Sequence, residues 1–170
     1  MEWHPCRAAH SVGDMSKSDT ATVRLSPPPP ALMRLVNPVV RRVLTTRWSG
    51  RRIRRQGLIE FTGRRTGRTL RVPVCLHDVD GETLIFTERP WRFNFAGGAA
   101  VTVTRCGRVR RGRALLLDVT PAEAGAAFRA ALDDGASPFE LGLKVSRGYV
   151  PSAADLAGIA RSLIRIEYDQ

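Results

Sequence analysis

With 170 residues and 43% hydrophobic content, the chain has enough apolar material for one domain core but not for two full domains. No run approaches the roughly 18 to 20 consecutive apolar residues of a membrane-spanning helix, and neither the cysteines (Cys6, Cys75, Cys106) nor the histidines (His4, His10, His77) show disulfide-framework or metal-site spacing. The formal charge of +11 sits wholly in residues 31–72, where twelve arginines face Glu60 alone; residues 1–30 carry three charges of each sign and residues 73–170 twelve of each.

Residues 1–30 are polar, mixed in charge and end in Pro27–Pro30, which predicts an extended, disordered arm ahead of a domain over residues 31–170. The arm lacks the central apolar block of a secretory signal, so a soluble, cytoplasmic protein is expected, with Met15 as a second candidate start. From Ala31, the residues Leu32, Leu35, Val36, Val39, Val40, Val43 and Leu44 recur at helical spacing. Asn37-Pro38 interrupts them and suits the cap and first turn of a second helix, running to about Thr46. With Arg34, Arg41, Arg42, Arg47, Arg51, Arg52, Arg54 and Arg55 the region is a basic amphipathic stretch. Two placements fit it: the apolar side on the domain's core with the arginines in water, or peripheral contact with an anionic membrane.

After Gly57 the texture changes to short β-rich runs. Leu58–Thr62 is the first and Leu70–Val79, containing Pro73, the second. Asp80-Gly81 predicts a tight hairpin into Thr83–Thr87. Pro90–Phe95 suits a helical turn ended by Gly97-Gly98, and Val101–Cys106 and Arg108–Val119 form a second hairpin about Cys106-Gly107. Thr120, Pro121 and Glu123 have the pattern of a capped helix start, with the helix running to about Leu132. Asp133–Pro151 has loop composition, Ser152 caps a short helix to Ala160, and Ser162–Tyr168 alternates as a closing strand. The expected class is α+β, mostly antiparallel strands with flanking helices.

Thr62-Gly63-Arg64-Arg65-Thr66-Gly67-Arg68 lies between two predicted strands. Its glycines supply tight backbone, and converging guanidinium groups offer forked, charge-assisted donors that match phosphate oxygens. On spacing alone, a phosphate cradle and a solvated hairpin are equal readings.

That turn, followed by Val72-Pro73-Val74 and then by Pro90-Trp91 with Asn94-Phe95, resembles the deazaflavin-dependent nitroreductase family, a branch of the split β-barrel, flavin-binding-like proteins. The likeness spans about Leu32 to Tyr168 and implies a split β-barrel. It further implies that Thr62, Gly63, Arg64, Arg65, Thr66 and Arg68 hold the coenzyme, with Arg64, Arg65 and Thr66 facing its phosphate. Pro73 and Val74 would line the deazaflavin ring through backbone contacts, and Trp91 and Asn94 would close the other side. Core packing is the alternative for Trp91. The implied activity is hydride transfer from a reduced 5-deazaflavin coenzyme to a small-molecule electron acceptor of the quinone or nitroaromatic type. The alternative is a non-catalytic split barrel that binds flavin (FMN), haem or a lipid. No nucleophile or triad is visible, and Tyr149, next to Gly148, is a candidate proton donor on loop position alone, with covering the barrel mouth as its plainer role. The arginines come with no reading helix or stacking platform, so no nucleic-acid partner is expected. Related barrels occur alone and paired, which leaves the oligomeric state open.

Overall fold

The computed structural model describes residues 23–25, 54–159 and 162–170. Seven strands form one curled antiparallel sheet: β2 (Gln56–Thr62), β3 (Thr69–Cys75), β4 (His77–Val79), β5 (Glu82–Thr87), β6 (Ala99–Arg105), β7 (Arg108–Leu116) and β9 (Ser162–Tyr168). Their order is β3-β2-β6-β7-β9-β5-β4. The two edge strands are consecutive in sequence, joined only by Leu76, whose side chain is fully buried. The predicted strand Leu70–Val79 is therefore two strands. The chain bends at Leu76, leaves β2 and reaches the far edge beside β5, which curls the sheet into a split barrel. Leu76 N–H, freed from either ladder by the bend, donates to the Arg55 carbonyl at 2.6 Å.

Turn chemistry fixes the hairpins where the sequence placed them. Asp80 and Gly81 have φ of 50° and 81°, and Cys106 and Gly107 have 51° and 70°; this left-handed pair suits the twist of the strands on either side. The inner face of the sheet packs Ile59, Phe61, Leu76, Phe95, Val103 and Ile164 into the barrel core. A second layer lies outside: helix α1 (Pro121–Asp133) and the short helix α2 (Ala153–Ala157) bury Phe128 and Leu156 against Val79, Leu84 and Leu163. Strand β9 is covered on both faces, with Leu163 in the outer layer and Ile164 and Ile166 in the inner one. It is an interior strand between β7 and β5 rather than an edge.

Both helix starts carry the predicted caps. The Thr120 hydroxyl accepts from Glu123 N–H and the Glu123 carboxylate accepts from Thr120 N–H at 2.7 Å; Ser152 and Asp155 repeat the arrangement on α2. Two short elements depart from the sequence reading. Leu143–Val145 (β8), inside the predicted loop, pairs with Val23–Leu25 (β1), inside the predicted arm. Three residues are too few to show a period, which is why both were missed. The rest of the arm and the predicted amphipathic helices up to Thr46 lie outside the described residues. Among the described residues, no helix is long and apolar enough to cross a membrane.

Candidate functional site

β2 and β3 stay paired to Thr62 and Thr69, and the residues between them form a closed turn. Gly63 organises it: its N–H donates to the Arg68 carbonyl at 2.9 Å, and its carbonyl accepts from Thr66 N–H at 3.2 Å and Gly67 N–H at 2.8 Å. A side chain at Gly63 would crowd Thr66 Oγ1 and Leu70, and Gly67 adopts φ +64°, so both glycines serve the turn geometry.

The loop after β5 forms the second wall. Pro90–Phe95 is a 3₁₀ turn, and Asn94 joins it to the first: Asn94 Oδ1 accepts from Arg64 N–H at 2.9 Å while its Nδ2 donates to the Trp91 carbonyl at 2.8 Å. The Arg64 guanidinium reaches over the same loop and donates to the Ala96 carbonyl at 2.9 Å and to the Phe93 carbonyl at 3.4 Å. The structure thus brings the Thr62–Arg68 turn together with Trp91 and Asn94. It also gives Arg64 a bracing role, capping the carbonyls that a short 3₁₀ turn leaves open. Arg65 and Arg68 are exposed, and among the described residues their guanidinium groups make no hydrogen bond or ion pair. The Thr66 hydroxyl accepts from Arg68 N–H at 3.4 Å.

Trp91 is half-buried at the rim of the inner core, with ring centroids 6.1 Å from Phe61 and 6.0 Å, edge-on, from Phe95. The packing role weighed for it from sequence is therefore real. Pro73 is half-buried opposite Leu58, and the Val74 side chain is in the core. Their strand, β3, pairs with β2 on one side and, among the described residues, with no strand on the other. Glu88, in the loop between them and Trp91, is held away from the turn: its Oε1 accepts from Ser162 N–H at 2.8 Å and its Oε2 lies 3.5 Å from Arg92.

Tyr149 stands with the outer helices. Its hydroxyl donates at 2.6 Å to Asp155 Oδ2, the carboxylate that caps α2, and this bond holds the phenol above its ordinary range. None of its hydrogen bonds links it to the Thr62–Arg68 turn. Two titratable groups flank the bend at Leu76: burial pushes the Cys75 thiol up to about 11 and the His77 imidazole down to about 4. Sequence reasoning passed over a further cluster at the opposite end of the barrel, where Arg105, Arg108, Arg110 and Tyr168 line a cavity of about 310 Å³. The signal was the alternation of arginines along Arg108–Arg113.

No protein-family profile matches the sequence, and no curated protein matches it. Among solved structures, the fold is similar to a chain described as a domain-swapped dimer, at 17% identity over 80% of this chain and 99% of that one, with a TM-score of 0.47. It is also similar to a Bacteroides thetaiotaomicron protein provisionally described as a 5-nitroimidazole antibiotic resistance protein, at 8% identity over 74% and 81% of the two chains, with a TM-score of 0.41. At such identities neither description transfers to this chain.

Proposed function

We propose that this chain is an oxidoreductase that holds a reduced 5-deazaflavin coenzyme by its phosphate at Thr62–Arg68 and delivers hydride to a quinone- or nitroaromatic-type acceptor. The observation that carries the proposal is the pair of guanidinium groups, Arg65 and Arg68, that have no partner among the described residues, on a turn braced by the Arg64–Asn94 joint. Arg65 and Arg68 stand on one short turn, and a phosphate can accept the forked donors of both. The bracing means little ordering is left to be done when the anion arrives.

When bound, such a coenzyme supplies the hydride. The chain's own part is to bind and orient. Arg65, Arg68 and Thr66 would hold the coenzyme's phosphate, Pro73 and Val74 on β3 would line its ring, and Trp91 would flank it and keep water off one side. Tyr149 already donates its proton to Asp155, so solvent serves as the proton source.

Titration of the purified chain with deazaflavin coenzyme, FMN and haem tests the proposal. Micromolar binding of the deazaflavin, weakened in Arg65→Gln/Arg68→Gln, is expected. No deazaflavin binding in that range would sink the proposal, and binding of FMN or haem in its place would favour the non-catalytic alternative.

A further inference from the structure

At the barrel end away from Thr62–Arg68, the inner faces of three neighbouring strands run past the apolar core. Side chains on a strand alternate between faces. On β7, Arg108 and Arg110 therefore stand on the side of buried Ala114; on β6, Arg105 follows Val101 and Val103; on β9, Tyr168 follows Ile164 and Ile166. Register brings them level: Val103 lies opposite Arg110, Arg105 opposite Arg108, and Tyr168 opposite Gly112. Gly112 lets β9 approach, since a Cβ there would sit 2.2 Å from the Glu167 carbonyl oxygen. These inward positions, with Asp78 and Thr83 from the β4–β5 side, enclose the cavity of about 310 Å³. That size falls at the lower end of small-molecule sites, which run from roughly 300 to 1,000 Å³ and favour the mouths of barrels.

The charge in the cavity is unbalanced. Among the described residues Asp78 is its one lining carboxylate, and that carboxylate is already engaged: both oxygens accept from Arg105 Nη1, at 3.0 and 2.8 Å, and Oδ1 also accepts from Thr83 Oγ1 at 2.9 Å. Arg105 is fixed from behind by the Arg54 carbonyl at 2.7 Å. The Arg110 guanidinium lies 3.9 Å over the Tyr168 ring, which orients it without satisfying its N–H donors. Arg108 has no hydrogen bond or ion pair among the described residues. Glu167, next to Tyr168, is paired with Arg165 at 2.8 Å. The chain leading to Arg54 supplies no anion either, since residues 31–53 contain six arginines and no acidic residue. Burial keeps the Tyr168 phenol above its ordinary range, so it stays a neutral donor.

We propose that this barrel mouth binds a small, flat organic anion in the cavity lined by Arg105, Arg108, Arg110 and Tyr168, with Arg108 and Arg110 holding its phosphate or carboxylate. Both guanidinium groups are exposed at the cavity's rim and, among the described residues, neither is paired with an acid, so their forked donors are available to an anion.

The test is a titration of the ¹⁵N-labelled full chain with phenyl phosphate and with benzoate at constant ionic strength. Saturable amide shifts at Val103, Arg108, Arg110 and Tyr168 are expected, and the tighter of the two ligands identifies the anionic group. Affinity should fall roughly tenfold in Arg108→Gln, as for the loss of one charge-assisted hydrogen bond, and further in Arg108→Gln/Arg110→Gln. It should be unchanged in Arg65→Gln/Arg68→Gln, which separates this site from the coenzyme turn. Shifts that never saturate, shifts centred on Thr62–Arg68, or native affinity in the double variant would overturn the proposal. Both arginines are exposed, so each variant should keep its fold. Matching thermal melts verify this, and Arg108→Lys, which keeps the charge but loses the fork, should bind between native and Arg108→Gln.

Discussion

Replacing Asn94 with alanine probes the joint between the Thr62–Arg68 turn and the Pro90–Phe95 loop. It removes the bond from Arg64 N–H at 2.9 Å and the bond to the Trp91 carbonyl at 2.8 Å. Each contributes about 0.5–1.5 kcal/mol net. Arg64 is exposed, so its freed N–H finds water, whereas the half-buried neighbourhood of Asn94 shields the Trp91 carbonyl. The expected loss is about 1–2 kcal/mol, or roughly 2–8 °C in melting temperature for a chain of this size. The Arg64 guanidinium keeps its bonds to Ala96 and Phe93, so the loop loosens without detaching. The turn then has to be ordered by its ligand, and deazaflavin affinity should drop by about tenfold. Differential scanning fluorimetry and a fluorescence titration measure the two effects. Asn94→Asp is the companion: it keeps the acceptor for Arg64 N–H but loses the donor to the Trp91 carbonyl and sets a carboxylate beside the turn, so it should bind more weakly than Asn94→Ala. A lower melting temperature with unchanged affinity in both variants would refute the reasoning, leaving Asn94 a structural brace with no ligand to serve.

Other perturbations bear on the same picture. Arg65→Gln/Arg68→Gln should leave the melting temperature within about 2 °C of native, since neither guanidinium has a partner among the described residues, and should flatten the salt dependence of coenzyme binding; a large fall in stability would mean the two arginines have a structural role. His77 is held neutral in the fold, mainly by burial and also by Arg55 and Arg105, against Glu140 and Asp78, at a pKa of about 4 where 6.5 is usual. Below the higher value the unfolded chain takes up a proton that the folded chain refuses, so stability falls as pH drops, by about 2 kcal/mol between pH 7 and pH 5. Urea midpoints for His77→Phe, which keeps the aromatic contact with Phe86, should lack that part of the slope; an unchanged slope would place the titration elsewhere. Gly112→Ala drives a Cβ into the Glu167 carbonyl and should cost about 1–3 kcal/mol in chemical denaturation. A neutral result would mean that β7 and β9 are not as close as described.

The elements legible from sequence were those with local chemistry. The Thr120–Glu123 and Ser152–Asp155 boxes, the Asp80-Gly81 and Cys106-Gly107 hairpins and the turn at Pro90 carry their cause within a few residues, and each formed where predicted. The bend at Leu76 was not legible, because Leu70–Val79 has unbroken strand texture and only the far edge of the sheet, brought round by the curl, decides where pairing changes partner. The nearness of Trp91 and Asn94 to the turn was legible only through resemblance. Its physical cause, the Asn94 amide between Arg64 N–H and the Trp91 carbonyl, spans thirty residues and leaves no periodic trace. Nor does a run of arginines reveal which one folds back: Arg64 braces the loop while Arg65 and Arg68 remain free, although all three look alike in sequence.

The same limit explains why one basic site was found and another missed. Residues 31–72 drew notice because their charge is uncompensated in sequence, yet within them Arg55 pairs with Asp134 and Arg71 with Glu60, so part of that excess is structural. Residues 73–170 balance to zero and drew none, yet Arg108 and Arg110 lie there at a barrel mouth whose only carboxylate belongs to Arg105. The acids that offset them on paper are engaged elsewhere: Asp133 with Arg129, Glu88 with Arg92, Glu167 with Arg165. Charge fixes a partner through distance, and screening removes a counter-charge from the reckoning beyond about a Debye length. A segment's net charge therefore locates a site only when its acids and bases meet in space. Here the unpaired guanidinium groups at the two ends of the barrel, rather than the +11 as a whole, mark where anions should bind.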